Sequence, residues 1–193
     1  MTIGTLFTDK LRLLAAEGDQ QAQVLSHNDQ YKSLSVFENR NADASDHTDA
    51  ITQIHSRLEF FDNDRYSVTL RMLSMSEGVS ITDDIHEVQT YLSAKAAEIV
   101  RQLSYLEEPL AVWELDSREN MAQLRSLPPQ RDGAERSYWE VVLKVDGEPS
   151  ISIARYSWSP GMPEREIVAY PATFALVARI ANSLETVLRA ETV

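Results

Sequence analysis

The sequence predicts an α+β fold in which amphipathic helices pack on a mostly antiparallel sheet. Runs of alternating apolar and polar residues, typical of half-buried strands, are separated by two long stretches with apolar residues three and four apart, typical of helices. In addition, SVTLRMLSMSEG at 67–78 resembles SISIARYSWSPG at 150–161. Strands that occur in runs between helices favour antiparallel pairing.

The two similar stretches lie 83 positions apart and have similar flanks. Each follows an apolar run that ends in turn residues, DND at 62–64 and DG at 146–147, and each precedes an amphipathic helix. We therefore predict two topologically similar β-β-β-α halves, at about 31–108 and 110–190, consistent with an internal duplication. The whole chain, 1–193, is predicted to form one compact domain.

The first half is preceded by an N-terminal helix over 1–27, whose apolar residues share one face and which Gly18 would break. Within the half, alternation predicts a strand at 31–38 and a hairpin at 53–61 and 66–75, with a polar loop at 39–50. A helix at 83–106 follows, which Thr82 can cap and which Pro109 ends.

The second half repeats this order. Strands are predicted at 110–116 and 121–127, a hairpin at 137–145 and 150–158, and a short strand at 166–169. The last helix is predicted over 171–190, because proline is tolerated in a first helical turn and Pro171 would take that position.

The amino-acid composition limits the classes of protein to which the chain can belong. Hydrophobic residues make up 43% of the chain, which is enough for a core, and no apolar run is long enough for a membrane-spanning helix. The N-terminus lacks the pattern of a signal peptide, and the chain has no cysteine. Together these features predict a cytoplasmic protein without disulfides.

The net charge of −12, from 30 acidic and 18 basic residues, disfavours nucleic acid and anionic membranes as partners. One stretch is locally rich in arginine, with Arg118, Arg125, Arg131 and Arg136, but acidic residues stand beside several of them. A solvated surface of mixed charge is the favoured interpretation of that stretch.

Known catalytic motifs are absent from the sequence. It contains no phosphate-binding loop and no nucleophile elbow, and His86-Glu87 is followed by Thr90 where a zinc protease would place its second ligand. The segment DASDHTD at 43–49 lacks the spacing of a calcium loop and is interpreted as a solvated loop. We predict no catalytic residue, metal or cofactor, and a non-enzymatic role is favoured. Glu59 and Glu140 alternate with apolar residues and are expected on an outward, solvated face.

Aromatic residues are unevenly distributed, because all three tryptophans fall in the second half. Alternation places Tyr156 and Trp158 on one face of their strand and Arg155 on the other. Either the tryptophans fill a core, or they form a surface that binds a partner. The residues predicted to bind a partner or ligand are Trp113, Trp139, Arg155, Tyr156 and Trp158.

These observations favour a non-enzymatic cytoplasmic binding protein, an adaptor or chaperone-like protein that acts through an apolar aromatic surface. Its partner would be another protein or, in a homodimer, a second copy. The alternative is a small-molecule-binding protein or an enzyme with a pocket between sheet and helices. The polar groups of such a pocket would be Arg155, His55, Glu140 and Tyr170.

Overall fold

A computed structural model describes residues 1–28, 30–40, 52–79 and 84–190. Across these residues the chain forms four helices and eleven strands, which confirms the predicted α+β class. The helices are α1 (Ile3–Glu17), α2 (Asp19–Ala22), α3 (Ile85–Gln102) and α4 (Phe174–Arg189). The strands are β1 (Leu25–His27), β2 (Tyr31–Arg40), β3 (Thr52–Asn63), β4 (Ser67–Glu77), β5 (Leu110–Asp116), β6 (Met121–Ser126), β7 (Gln130–Asp132), β8 (Glu135–Asp146), β9 (Glu148–Trp158), β10 (Glu166–Ile167) and β11 (Tyr170–Thr173).

All strands pair antiparallel, in the order β1-β2-β3-β4-β9-β8-β6-β5, and the short strands β7, β10 and β11 add to β8, β9 and β4. The two similar stretches of sequence form β4 and β9. These strands are direct neighbours at the centre of the sheet, where Leu73 faces Ile153 and Met75 faces Ile151. Their similarity follows from a shared requirement, since each central strand has one face buried under helices and one face left open.

The predicted duplication stays a prediction. Three strands and a helix follow one another as β2-β3-β4-α3 in the first half, whereas β6, β8, β9 and α4 of the second half are accompanied by the further strands β5, β7, β10 and β11. In addition, Glu59 of β3 faces Met72 while Phe60 faces Leu70, so Arg71 is an extra residue in a bulge of β4. Beyond that bulge, residues of β4 and β9 that lie 83 positions apart in the sequence no longer point to the same face of the sheet.

The three long helices lie in one layer on one side of the sheet. Helix α4 contacts β4 and β9, and α1 and α3 flank it. We call the sheet surface beneath these helices the covered face. A row of fully buried side chains crosses six strands on this face, formed by Leu34, Leu58, Leu73, Ile153, Val141 and Leu124. Burial of each such side chain contributes about 1.5–3 kcal/mol, so this row is a main source of stability.

The start of α1 is held by side chains of α4. Glu185 Oε2 accepts a hydrogen bond from the Ile3 N–H at 2.9 Å, and Asn182 Oδ1 accepts one from the Gly4 N–H at 2.8 Å. These bonds satisfy amide groups that have no partner inside the helix. A Cβ atom at Gly4 would overlap the carbonyl oxygen of Ala178, so glycine permits this close approach.

Two predicted boundaries were wrong at the helix ends. The N-terminal helix does not extend over 1–27: it ends before Gly18, whose φ of 88° suits glycine, and residues 25–27 form a strand. Pro171 is not in a helix but in β11, opposite Thr69 of β4. Thr173 caps α4 by accepting a hydrogen bond from the Leu176 N–H. A proline is tolerated in this short outer strand because it needs no N–H there.

The other predicted elements agree with the structure to within a few residues. Both long hairpins, β3-β4 and β8-β9, lie at the predicted positions. Helix α3 begins after Asp84, whose carboxylate accepts hydrogen bonds from the His86 and Glu87 N–H groups, so it starts slightly later than predicted. Thr82 and most of the predicted loop at 39–50 lie outside the described residues. Of the helices that the structure describes, none is long and apolar enough to cross a bilayer.

Lys95 links α3 to the C-terminal end of α4. It is 3% exposed, and its Nζ donates hydrogen bonds to the carbonyl oxygens of Val187 at 2.6 Å, Leu188 at 3.0 Å and Ala190. Burial lowers the pKa of Lys95. The carbonyls carry the negative end of the α4 dipole, which favours a cation at this point.

Lys95→Met is expected to lower the free energy of unfolding by about 2–3 kcal/mol, because the buried carbonyl groups of Val187 and Leu188 and the partly buried one of Ala190 lose a charged donor. Urea unfolding followed by circular dichroism measures this change. Lys10→Met removes a lysine whose Nζ makes one exposed hydrogen bond to Gln23, and it should change stability by no more than about 0.5 kcal/mol. Equal effects of the two substitutions would contradict this account of Lys95.

Glu185 gives stability a pH dependence. Burial raises its pKa above the ordinary 4.5; the hydrogen bond from the Ile3 N–H and the charge of Arg189 oppose this increase, and the nearby Glu38 adds to it. A raised pKa means that the folded state favours the protonated carboxyl, so this contribution to stability is lost as pH rises through the folded pKa. The free energy of unfolding of Glu185→Gln, relative to that of the parent protein, should therefore increase as the pH is raised from about 4 to about 7. Urea unfolding at both pH values tests this, and a constant or falling difference would contradict it.

Candidate functional site

The sheet surface opposite the helices, which we call the open face, has small polar residues at its centre. Ser74 of β4 faces Ser152 of β9, and Ser76 faces Ser150. Larger side chains gather at one end of this face, where β5, β6, β8 and β9 lie side by side. The open face therefore has small polar side chains around a central cavity of about 350 Å³ and a chemically distinct end.

That distinct end contains a cleft of about 410 Å³, which we call the aromatic–arginine cleft. Its lining combines aromatic rings, guanidinium groups and prolines. The residues are Trp113, Arg125, Ser126, Leu127, Pro129, Arg136, Tyr138, Trp158, Pro163, Glu164 and Arg165.

Strand register brings these side chains together. On β8 and β9, Arg136 faces Trp158 and Tyr138 faces Tyr156, all on the open face. On β5, Val112 faces Leu124 and Glu114 faces Gln123, so the residue between them, Trp113, is a bulge residue. The bulge changes the direction of this strand locally, and the Trp113 side chain is left 59% exposed.

Each guanidinium group of the cleft lies near an aromatic ring. Arg125 lies 4.8 Å from the Trp113 ring centre and 5.3 Å from that of Tyr138. Arg165 lies 4.6 Å from the ring of Tyr156, and Arg136 lies 5.9 Å from that of Trp158. Such cation–π contacts hold the arginine side chains in place while leaving much of their hydrogen-bonding capacity unused.

Glu140 lies beneath two of these arginines. Its Oε2 accepts hydrogen bonds from Arg125 Nε at 2.8 Å and from Arg165 Nη1 at 2.6 Å, whereas its Oε1 is buried without a hydrogen-bond partner. The prediction of a solvated Glu140 was wrong: it does lie on the open face but is only 2% exposed, because the two arginines cover it. Burial, and then the Glu140 charge, raise the pKa of the neighbouring Tyr156.

The predicted binding residues fall on both faces of the sheet. Trp113, Tyr156 and Trp158 lie on the open face, where Trp113 and Trp158 line the cleft. Trp139 is 1% exposed on the covered face, with its ring 4.7 Å from that of Tyr170. Arg155 is buried beside it and donates two hydrogen bonds to the Glu108 carboxylate, at 2.8 and 3.0 Å. These five residues therefore do not form a single surface.

Sequence reasoning missed Arg125, Arg136, Tyr138 and Arg165 as members of this site. Arg125 and Arg136 were included in a stretch interpreted as a solvated surface of mixed charge. One signal was available, since Arg136 and Tyr138 are two residues apart and thus share a strand face. The contribution of Arg165 depends on how the segment after β9 folds back, and no local pattern shows that.

The polar groups proposed for a small-molecule pocket do not converge. Arg155 and Tyr170 lie together on the covered face, where the Arg155 guanidinium is 5.6 Å from the Tyr170 ring. Glu140 is on the open face, and His55 stacks on Phe37 at 4.6 Å near the other end of the sheet. Among the described residues, no three side chains of metal-binding type are grouped, and the segment at 43–49 lies outside these residues.

The chain matches no protein-family model, no curated protein and no solved structure.

Glu140→Gln tests the electrostatic role of the buried carboxylate. It should lower the free energy of unfolding by about 2 kcal/mol or more, because Arg125 and Arg165 lose their shared counter-charge. Urea unfolding measures the effect. Glu164→Gln, at the exposed rim of the same cleft, should change stability by no more than about 0.5 kcal/mol. A loss as large at Glu164 as at Glu140 would contradict this role.

Proposed function

We propose that this chain is a non-enzymatic cytoplasmic binding protein, of adaptor or chaperone-like type, that binds a protein partner on its open face. The aromatic–arginine cleft is the principal contact. The observation that carries the proposal is the gathering of three aromatic rings and three guanidinium groups at one end of an uncovered sheet surface.

The composition of the cleft supports a protein ligand. Tryptophan, tyrosine and arginine are the residues most enriched among those that dominate the energy of protein interfaces. Trp113 is 59% exposed and Leu127 is 55% exposed at the rim, so apolar area is available for burial. The contacts between arginines and rings order these side chains before binding, which reduces the entropy lost on association.

The partner proposed for this cleft is a different protein. In a dimer with twofold symmetry a patch contacts its own copy, and here that would bring the three arginines of each subunit together. Like charges placed opposite each other oppose association. Homodimerisation stays a prediction and would require another surface of the chain.

Site-specific photo-crosslinking in living cells tests the proposal. p-Benzoylphenylalanine in place of Trp113 should give a defined covalent adduct with one partner, and the Trp158→Ala substitution should reduce that adduct because the cleft loses a wall. The matched control is the same crosslinker at Tyr66, which is 67% exposed and also carries an arginine, Arg65, at 5.3 Å from its ring.

The proposal fails if adducts form equally from positions 113 and 66, or if Trp158→Ala leaves the adduct from position 113 unchanged. Native mass spectrometry of the purified protein distinguishes the proposed function from the alternative one. A retained small molecule would favour a small-molecule-binding protein instead.

A further inference from the structure

We infer that the partner presents an acidic segment to the aromatic–arginine cleft, an extended stretch in which carboxylate and apolar side chains lie close together, and that Arg136 binds one of these carboxylates. This inference rests on the proposed function and specifies the chemistry of the partner.

The aromatic–arginine cleft carries an excess of positive charge. Its lining contains three guanidinium groups, whereas the acidic residues at it are Glu140, buried beneath Arg125 and Arg165, and Glu164 at the exposed rim. The remaining lining residues carry no charge. The cleft is therefore a local positive site on a chain whose net charge is −12, and it complements an anionic ligand.

The arginines of the cleft have unused hydrogen-bond donors. A guanidinium group has five N–H donors. Arg165 donates to Glu140 through Nη1, while Arg125 donates to Glu140 through Nε and to Gln123 through Nη2 at 3.2 Å. Both groups keep N–H donors at the cleft. A ligand with carboxylate oxygens supplies the acceptors that these donors lack.

Arg136 is the least committed of the three. Within the described part of the chain, no carboxylate lies at ion-pair distance from it, and its contact is with the Trp158 ring. The side chain is exposed and lies beside an aromatic wall. A planar guanidinium group in this setting can bind a carboxylate through two parallel hydrogen bonds.

The apolar lining favours a peptide over other anions. Leu127, Pro129 and Pro163 offer surfaces that apolar side chains can contact, and the rings of Trp113 and Trp158 extend them. A phosphate backbone has no apolar group to place there, and the overall negative charge opposes a polyanion. Alternating acidic and apolar side chains of one extended segment can use both parts of the lining.

Selection from a library of random dodecapeptides displayed on phage tests this inference with the purified 193-residue chain. We expect the enriched peptides to contain more aspartate and glutamate than the input library, adjacent to apolar residues. Arg136→Glu should weaken binding of the best synthetic peptide by about tenfold or more, because an attractive charge becomes repulsive. The affinity should also decrease as sodium chloride is raised.

The matched control is Arg65→Glu, which removes the exposed arginine beside Tyr66 and makes the same change of net charge. It should alter the affinity by less than about twofold. Since Arg136 is exposed, its substitution leaves the fold intact, which circular dichroism verifies.

Three results would overturn the inference: enriched peptides that are neutral or basic, no enrichment, or acidic peptides that bind Arg136→Glu as tightly as the parent. If position 113 still forms its Trp158-dependent adduct in any of these cases, the proposal that a partner binds at the cleft is retained, and only the inference that its bound segment is acidic is wrong. If that adduct is also absent, the proposed function fails with it.

Discussion

The pairing of β4 with β9 is the constraint on which the rest of the structure depends. This antiparallel contact, which runs from Met72 opposite Ala154 to Ser76 opposite Ser150, joins the strands of the first half to those of the second, and the short strand β11 adds a second contact with β4. It also sets the position of β8 and β6 beyond β9, and hence of the cleft at that end of the sheet. A shift of this pair by one residue would exchange the buried and open faces of a central strand, so burial of Leu73 and Ile153 fixes the register.

The alternation of side chains on β9 divides two arginine–aromatic systems that lie close together in sequence. Arg155 points to the covered face, where Glu108 neutralises it and Trp139 and Tyr170 surround it. Tyr156, the next residue, points to the open face beside Arg165. The first system is buried, its charge is neutralised, and it stabilises the fold. The second keeps exposed rings and unused donors, and therefore has the chemistry of a binding surface.

Periodicity in the sequence was enough to predict both long hairpins, the three long helices and the α+β class, because burial on one face imposes a local pattern. The cleft was not predictable in this way. Its arginines come from β6, from β8 and from the segment after β9, and only strand pairing brings them together. Glu140 has the sequence pattern of a solvated residue, and it is buried because two distant arginines cover it. Pro171 has the position of a helix start, but pairing with β4 places it in a strand instead.

The contrast between the net charge of the chain and the charge of the cleft bears on selectivity. At physiological ionic strength, charges separated by more than about 8 Å are largely screened, so the overall charge of −12 acts weakly and without specificity on an approaching anion. The guanidinium groups act at contact distance, where a carboxylate meets several donors together with apolar walls. A long polyanion such as nucleic acid meets the negative surface along most of its length, whereas a short acidic segment of a protein meets mainly the cleft. An acidic protein with a local arginine site of this kind is thus better suited to bind an acidic peptide segment than a polyanion.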